Sequence, residues 1–275
     1  MPKLYIVGTP IGNLGDFSPR AVEVLRACDF IAAEDTRVTA KLLHKFEIQT
    51  PMLSYHEHNK TTSGARILSK LQAGQTGALV TDAGMPAISD PGEALVRSCH
   101  ENGIIVESVP GPTAFATALA LSGMPAGRFC FEGFLSMTKR SRVAHLQSLE
   151  DETRTMIFYE APHKLPQTLK DFAAHFGPRP LAIVRELTKL HEEVIHTNCE
   201  QAAQDFSDRA LLKGEIVLIV AGAEPKVPEP LTLDQAVALA KEYIDAGETT
   251  PQAAKRAAKE SRRRKNEIYA ALTKI

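Results

Sequence analysis

No apolar run in these 275 residues approaches the length of a membrane span, and the opening MPKLYIVG leads straight into a strand with no signal-peptide pattern. A soluble, cytoplasmic protein is expected. The four cysteines, Cys28, Cys99, Cys130 and Cys199, lack CxxC spacing, which argues against a zinc site or a disulfide framework and suits reduced core residues. A dinucleotide fingerprint is missing too. Gly8 and Gly12 do not make GxGxxG, and the next helix begins well after the first strand ends, so no helix N-terminus is presented to a pyrophosphate. The chain also lacks an overall charge, its formal net being −1. That balance hides a local excess: Lys255 to Lys265 holds seven basic residues against one acid, so charge points to a partner at one end only.

What is present suffices for two ordinary domains, since 44% of the residues are hydrophobic. Short apolar strands alternate with helices up to residue 110: Leu4 to Gly8, Asp29 to Ala33, a stretch near Ser54, Gly77 to Thr81 and Ile104 to Val109. That alternation predicts a parallel sheet covered on both faces. Ser18 as N-cap and Pro19 as first residue start the first helix, and another helix starts around Pro91. From Arg128 a second round begins, with a possible hairpin around Leu187 to Glu192, so its sheet is expected to be mixed. Domains are therefore placed at residues 1–112 and 127–225, joined by a linker helix over 113–126. A small helical extension fills 226–275, with Thr250 as N-cap of its second helix and a third starting near Ser261.

Four stretches carry chemistry. In LVTDAGMPAISDPG (Leu79 to Gly92) a buried strand opens into a rigid loop with one carboxylate at its mouth (Asp82), an open backbone at Gly84 and apolar contacts from Met85 and Ile88. In an open α/β sheet, ligands bind beyond such strand ends; an ordinary Asp-x-Gly turn would read the same way. AEDTR places Glu34, Asp35 and Arg37 at a second strand end, where Asp35 or Thr36 either caps a helix or meets substrate. YEAPHKL puts His163 and Lys164 in the opening turn of a helix, against its dipole, which is easier to understand beside an anion. RELTKLHEE ends a further strand with Arg185, Glu186 and Lys189. SYHEHN carries His56 and His58 but no nearby third and fourth ligand, so no metal is expected.

Taken together, VGTPIGNLGD, AEDTR, SYHEHN, LVTDAGMPAISDPG, VPGPTAF, FEGFL, YEAPHKL and RELTKLHEE, in that order over Leu4 to about Gly222, resemble the bacterial ribosomal RNA small-subunit methyltransferase I family. This family lies within the tetrapyrrole-methylase superfamily of S-adenosylmethionine enzymes. The resemblance implies two α/β domains with S-adenosyl-L-methionine in the cleft between them, usually in a homodimer. It further implies 2′-O-methylation of a cytidine in the decoding region of 16S rRNA, on naked rRNA or the small ribosomal subunit. On the matching positions, Thr9, Pro10, Ile11, Gly12, Asp82, Ala83, Gly84, Met85, Ile88, Thr113, Ala114, Tyr159 and Leu187 would surround the cofactor. A ribose hydroxyl is a weak acid and needs a base or a polarising group. Glu34, Asp35, Glu160, His163, Glu186 and Lys189 are the candidates, with Arg37, His163 or Lys189 holding adjacent phosphates. Lys255, Arg256, Lys259, Arg262, Arg263, Arg264 and Lys265 would anchor RNA; no membrane and no DNA partner is expected. A tetrapyrrole or diphthine methylase would share the fold without needing the basic tail, and a ligand-sensing nucleic-acid regulator is the alternative outside that class.

Overall fold

The computed structural model describes residues 2–207, 214–225 and 230–273. The chain forms two compact units, Met1–Ala223 and Glu224–Ile275. In the larger unit the first sheet contains β1 (Lys3–Val7), β2 (Phe30–Ala33), β3 (Met52–Ser54), β4 (Gly77–Val80) and β5 (Ile105–Val109), in the order β3-β2-β4-β1-β5. Every pairing is parallel. The central strands FIAA and GALV are buried at every residue, as a parallel sheet covered on both faces requires. Their register sets Phe30 opposite Gly77, and the Phe30 ring fills the space a Cβ on Gly77 would need.

Helices α1 (Pro19–Ala27) and α2 (Thr36–Lys45) bury Ala21, Leu25 and Leu43 against one face. Helices α3 (Lys60–Gln72) and α4 (Glu93–Glu101) bury Ile67, Leu71, Leu95 and Cys99 against the other. Ser18 caps α1 by accepting from the Ala21 amide at 3.1 Å, with Pro19 directly after it. Helix α4 starts at Glu93 rather than at Pro91, because Gly92 occupies its cap.

The second sheet holds β6 (Phe129–Phe134), β7 (Thr155–Glu160), β8 (Pro180–Arg185), β9 (Glu193–Asn198) and β10 (Ile216–Val220), ordered β6-β7-β10-β8-β9. It is mixed. β6 runs parallel to β7, whereas β10 is antiparallel to both neighbours and β8 and β9 form a hairpin. Helices α6 (Lys139–Ser148), α7 (Leu165–Phe176) and α8 (Cys199–Asp205) cover one face, where Phe158, Leu169, Phe172 and Leu218 are fully buried. Helix α5 (Ala114–Ser122) covers the other face through Ala118 and Leu119, with Ile11 and Leu187 in the same cluster.

The small unit is a three-helix bundle of α9 (Leu233–Asp245), α10 (Thr250–Ser261) and α11 (Lys265–Thr273), packed around Ala236, Ala240, Ala254, Ala257 and Ile268. Alanine at the contacts lets these helices approach closely. Two starts differ from expectation. The N-cap of α10 is Thr249, not Thr250: Pro251 needs no amide partner in the first turn, and Gln252 Oε1 accepts from the Thr249 amide at 3.2 Å. The third helix begins at Lys265, not near Ser261, because Arg262 adopts a left-handed φ of 56° that ends α10. No helix among the described residues is long and apolar enough to cross a membrane.

Candidate functional site

Three loops from the carboxyl ends of the parallel sheet lock together. Thr9 exchanges backbone hydrogen bonds with Gly84 (2.9 and 3.1 Å), and its hydroxyl donates to the Thr81 carbonyl at 3.1 Å. Gly8 and Gly111 approach so closely that a Cβ on Gly8 would lie 2.7 Å from the Gly111 backbone. Only glycine fits there.

Beyond these loops lies a cavity of about 340 Å³ with mostly apolar walls. Ile11, Ala83, Gly84, Met85 and Ile88 line one side with Ser89 and Asp90. Thr113 and Ala114 contribute the start of α5, and Phe134 and Tyr159 to Pro162 contribute the ends of β6 and β7. Gly214 to Val217 close the far side. The Tyr159 hydroxyl accepts from the Phe115 amide at 3.2 Å, satisfying a helix-start donor and leaving its own proton free to donate. Burial pushes the Tyr159 phenol up, so it stays protonated at neutral pH.

Of the residues expected around a cofactor, Ile11, Ala83, Gly84, Met85, Ile88, Thr113, Ala114 and Tyr159 meet at this cavity. Thr9, Pro10, Gly12, Asp82 and Leu187 do not line it, and Thr9 and Leu187 are buried. Ser89, Asp90, Phe134, Ala161, Pro162 and Gly214 to Val217 line it without having been singled out. The last group could not be found from strand ends, because β10 is antiparallel and brings its beginning to the cavity.

The charged candidates divide by what already holds them. Asp35 caps α2, accepting from the Arg37 amide at 2.8 Å and from its guanidinium at 3.1 and 2.7 Å. That guanidinium holds the Asp35 carboxyl down to about 2. Glu34 accepts from the Thr81 hydroxyl at 2.6 Å, and Asp82 accepts from the Asp35 amide at 3.1 Å. Burial raises Asp82, with Glu34 and Asp35 adding to it. Glu160 is 5% exposed and lines the cavity, yet its carboxylate bonds the Thr168 hydroxyl and the Ala161 amide.

Glu186 pairs with Lys189 at 2.8 Å and accepts from the Glu215 amide at 3.1 Å, and the lysine holds its carboxyl below the ordinary range. His163 and Lys164 precede α7 instead of opening it: residues 161–164 form a turn closed by the Lys164 amide on the Ala161 carbonyl, with Lys164 at the cap. The Glu160 carboxylate, bonded to Thr168 in the first turn of α7, supplies the negative charge at this helix start. His56 and His58 stand 6.0 Å apart, ring to ring, and among the described residues no group of three or more His, Cys, Asp or Glu is placed to hold a metal.

In the small unit, Lys255, Lys259 and Lys265 line an open groove with Gln252, Arg256 and Ala258. Arg256 is engaged within its own bundle. It pairs with Glu248 at 2.7 Å and Glu260 at 3.4 Å and lies 4.2 Å over the Tyr243 ring. Arg263 likewise donates to the Leu231 carbonyl at 2.6 Å.

Residues 3–203 match the family described as tetrapyrrole (corrin/porphyrin) methylases. The chain is 47% identical over 270 residues to "Ribosomal RNA small subunit methyltransferase I" of Synechocystis sp., covering 98% of this chain and 96% of the relative. It is 42% identical over 276 residues to the Bacillus subtilis protein of that name, covering 98% and 93%. Among solved structures, a uroporphyrin-III-C-methyltransferase from Thermus thermophilus superimposes with a TM-score of 0.57 at 19% identity, covering 80% of this chain and 94% of that one. The same kind of enzyme complexed with S-adenyl homocysteine gives a TM-score of 0.54 at 17% identity, covering 79% and 96%. At such identities the structures speak for the fold alone.

Proposed function

We propose that this chain, which belongs to the tetrapyrrole methylase family, methylates small-subunit ribosomal RNA with S-adenosyl-L-methionine as donor. The observation that carries the reading is the 47% identity, over nearly the whole length of both chains, to a relative of that printed name. The acceptor is the ribose 2′-oxygen of a cytidine in the decoding region, a choice that rests on the sequence motifs.

The site fits the donor. Its volume lies within the range of about 300–1,000 Å³ usual for small-molecule pockets. Met85 and Ile88 offer apolar surface, Gly84 leaves its backbone open, Tyr159 retains a free donor, and the nearby carboxylates of Glu34 and Asp82 favour a cation. When bound, S-adenosylmethionine supplies an already activated methyl group, so the chain's own work is alignment, exclusion of water and removal of the hydroxyl proton. The interlocked loops at Gly8, Gly84 and Gly111 fix one wall of the cavity, and Tyr159 is held rigid by the Phe115 amide. The 88% exposure of the Arg37 side chain supports a contact from it to RNA phosphate beside its pair with Asp35.

RNA is anchored by the small unit through Lys255, Lys259, Arg264 and Lys265, while Arg256 and Arg263 act as internal struts. The enzyme works in the cytoplasm, where its substrate is, and as a homodimer, which sedimentation would test. The central experiment is transfer of labelled methyl to small ribosomal subunits from cells lacking the modification, followed by mapping of the label. Label on a ribose 2′-oxygen is expected. Label on a base, or none with cofactor binding intact, would refute the assignment.

A further inference from the structure

Resting on the ribose-methylation reading, the geometry points to Asp90 as the proton acceptor of the reaction. Asp90 follows the loop that locks onto Thr9, and its residue lines the cavity together with Tyr159 and Glu160. The other acids near the cavity are engaged or open to solvent: Glu215 stands 3.9 Å from the Lys189 ammonium with its side chain 69% exposed. Asp35 is held by Arg37, Glu186 by Lys189, and Glu160 by Thr168 and the Ala161 amide. Among the described residues no cation stands within ion-pair distance of Asp90, and the Thr81 hydroxyl near it donates its proton to Glu34 at 2.6 Å.

The charges around Asp90 favour proton uptake. Burial raises its carboxyl above the ordinary range, and Glu34 at the end of β2 and Asp82 at the end of β4 add to that, while Thr81 partly opposes it. Arg37 acts on Asp82 and is bound to Asp35. Across the cavity stand Tyr159 and Glu160 of β7 and Glu215 before β10, and the Tyr159 phenol is close enough to feel the Asp90 charge. A carboxylate in such surroundings is a stronger base than a free one.

The step balances without a further reactant. The ribose oxygen forms its bond to the methyl carbon as the methyl–sulfur bond breaks with its electron pair passing to sulfur. The hydroxyl proton goes to a carboxylate oxygen of Asp90. A cationic sulfonium and an anionic carboxylate become a neutral thioether and a neutral acid, and the proton is later lost to water.

The test compares wild type with Asp90→Asn and Asp90→Glu. Single-turnover methyl transfer to small subunits is measured against pH, S-adenosylmethionine and RNA affinities are measured directly, and the Asp90 carboxyl is titrated by carbon-13 NMR, its signal identified by its loss in Asp90→Asn. The expected result is a rate loss of about 100-fold or more in Asp90→Asn with both affinities nearly unchanged. Asp90→Glu should recover part of the rate, the wild-type rate should rise with pH through an inflection that Asp90→Asn lacks, and the titration midpoint should lie above about 4. Near-wild-type transfer by Asp90→Asn would overturn the proposal, as would a rate loss explained by lost cofactor affinity. If wild type moves no methyl to RNA at all, the RNA reading fails instead, and a carboxyl midpoint in the ordinary range would still sink Asp90 as the base.

Discussion

The cavity of the large unit and the groove of the small one are built on opposite principles. The cavity is shaped by backbone: Gly8 against Gly111, Thr9 paired with Gly84, and Tyr159 tied to the Phe115 amide, with apolar walls between. Its function should tolerate salt and fail on sub-ångström displacement. The groove is shaped by charge, with three exposed lysines over a bundle in which Arg256 and Arg263 are held internally. Its function should tolerate small displacements and fail in salt. On the proposed function, two kinds of ligand, one small and partly apolar and one a polyanion, would each meet a surface of its own kind.

The largest effect expected is from Gly111→Val. A branched side chain would be driven into the Gly8 backbone, so the loops must part. Overpacking of this kind costs about 1–3 kcal/mol, and here the displaced loops are the cavity wall. Denaturant unfolding should show the loss, and calorimetry should show S-adenosylmethionine binding abolished while RNA binding persists. Retained cofactor binding would break the contrast.

Replacing Lys255, Lys259 and Lys265 together with alanine should do the reverse. If each meets one phosphate, the slope of log affinity against log salt should flatten by about 2, at about 0.7 per contact on single-stranded RNA. Cofactor affinity should not change. Arg256→Ala is the control, since its guanidinium is occupied by Glu248, Glu260 and Tyr243, and it should leave the salt slope alone. A smaller effect is expected from Tyr159→Phe. It orphans the Phe115 amide and removes the free donor, which costs about 1 kcal/mol at a half-buried position. Thermal unfolding and cofactor titration should both register it, at any salt concentration.

How far these sites could be read in the sequence follows from the same contrast. The parallel sheet is fully legible, because FIAA and GALV carry the pattern of strands buried on both faces and their loops fall where such sheets bind ligands. Gly214 to Val217 were invisible, since an antiparallel strand brings its beginning to the cavity and no local pattern announces which strand is antiparallel. Asp90 sits inside the stretch that drew attention first, but that no described residue supplies it a counter-ion is a tertiary fact. So is the engagement of Arg256, which depends on Tyr243 and Glu248 arriving from elsewhere in the bundle. Helix starts were legible to within a few residues, and the misses at Thr249 and Lys265 came from capping and from the left-handed Arg262.

The smallest expected effect tests whether the rim of the cavity is separate from its interior. Asp35 is depressed to about 2 by Arg37, against about 4 for an ordinary aspartate. A depressed carboxyl contributes stability that is present in full above the unfolded value and is lost as pH falls through the folded one. The contribution of the Asp35–Arg37 pair should therefore vanish between about pH 4 and pH 2, and its exposure keeps the effect small. Asp35→Asn retains an N-cap for α2 while removing the charge. Its unfolding midpoint should sit slightly below wild type at pH 6 and coincide with it at pH 2. Asp90, raised instead of lowered, predicts the opposite sign: Asp90→Asn should gain stability relative to wild type as pH rises past the ordinary carboxylate range. If both substitutions moved the midpoint in the same direction, the division between a structural rim and a reactive interior would not stand.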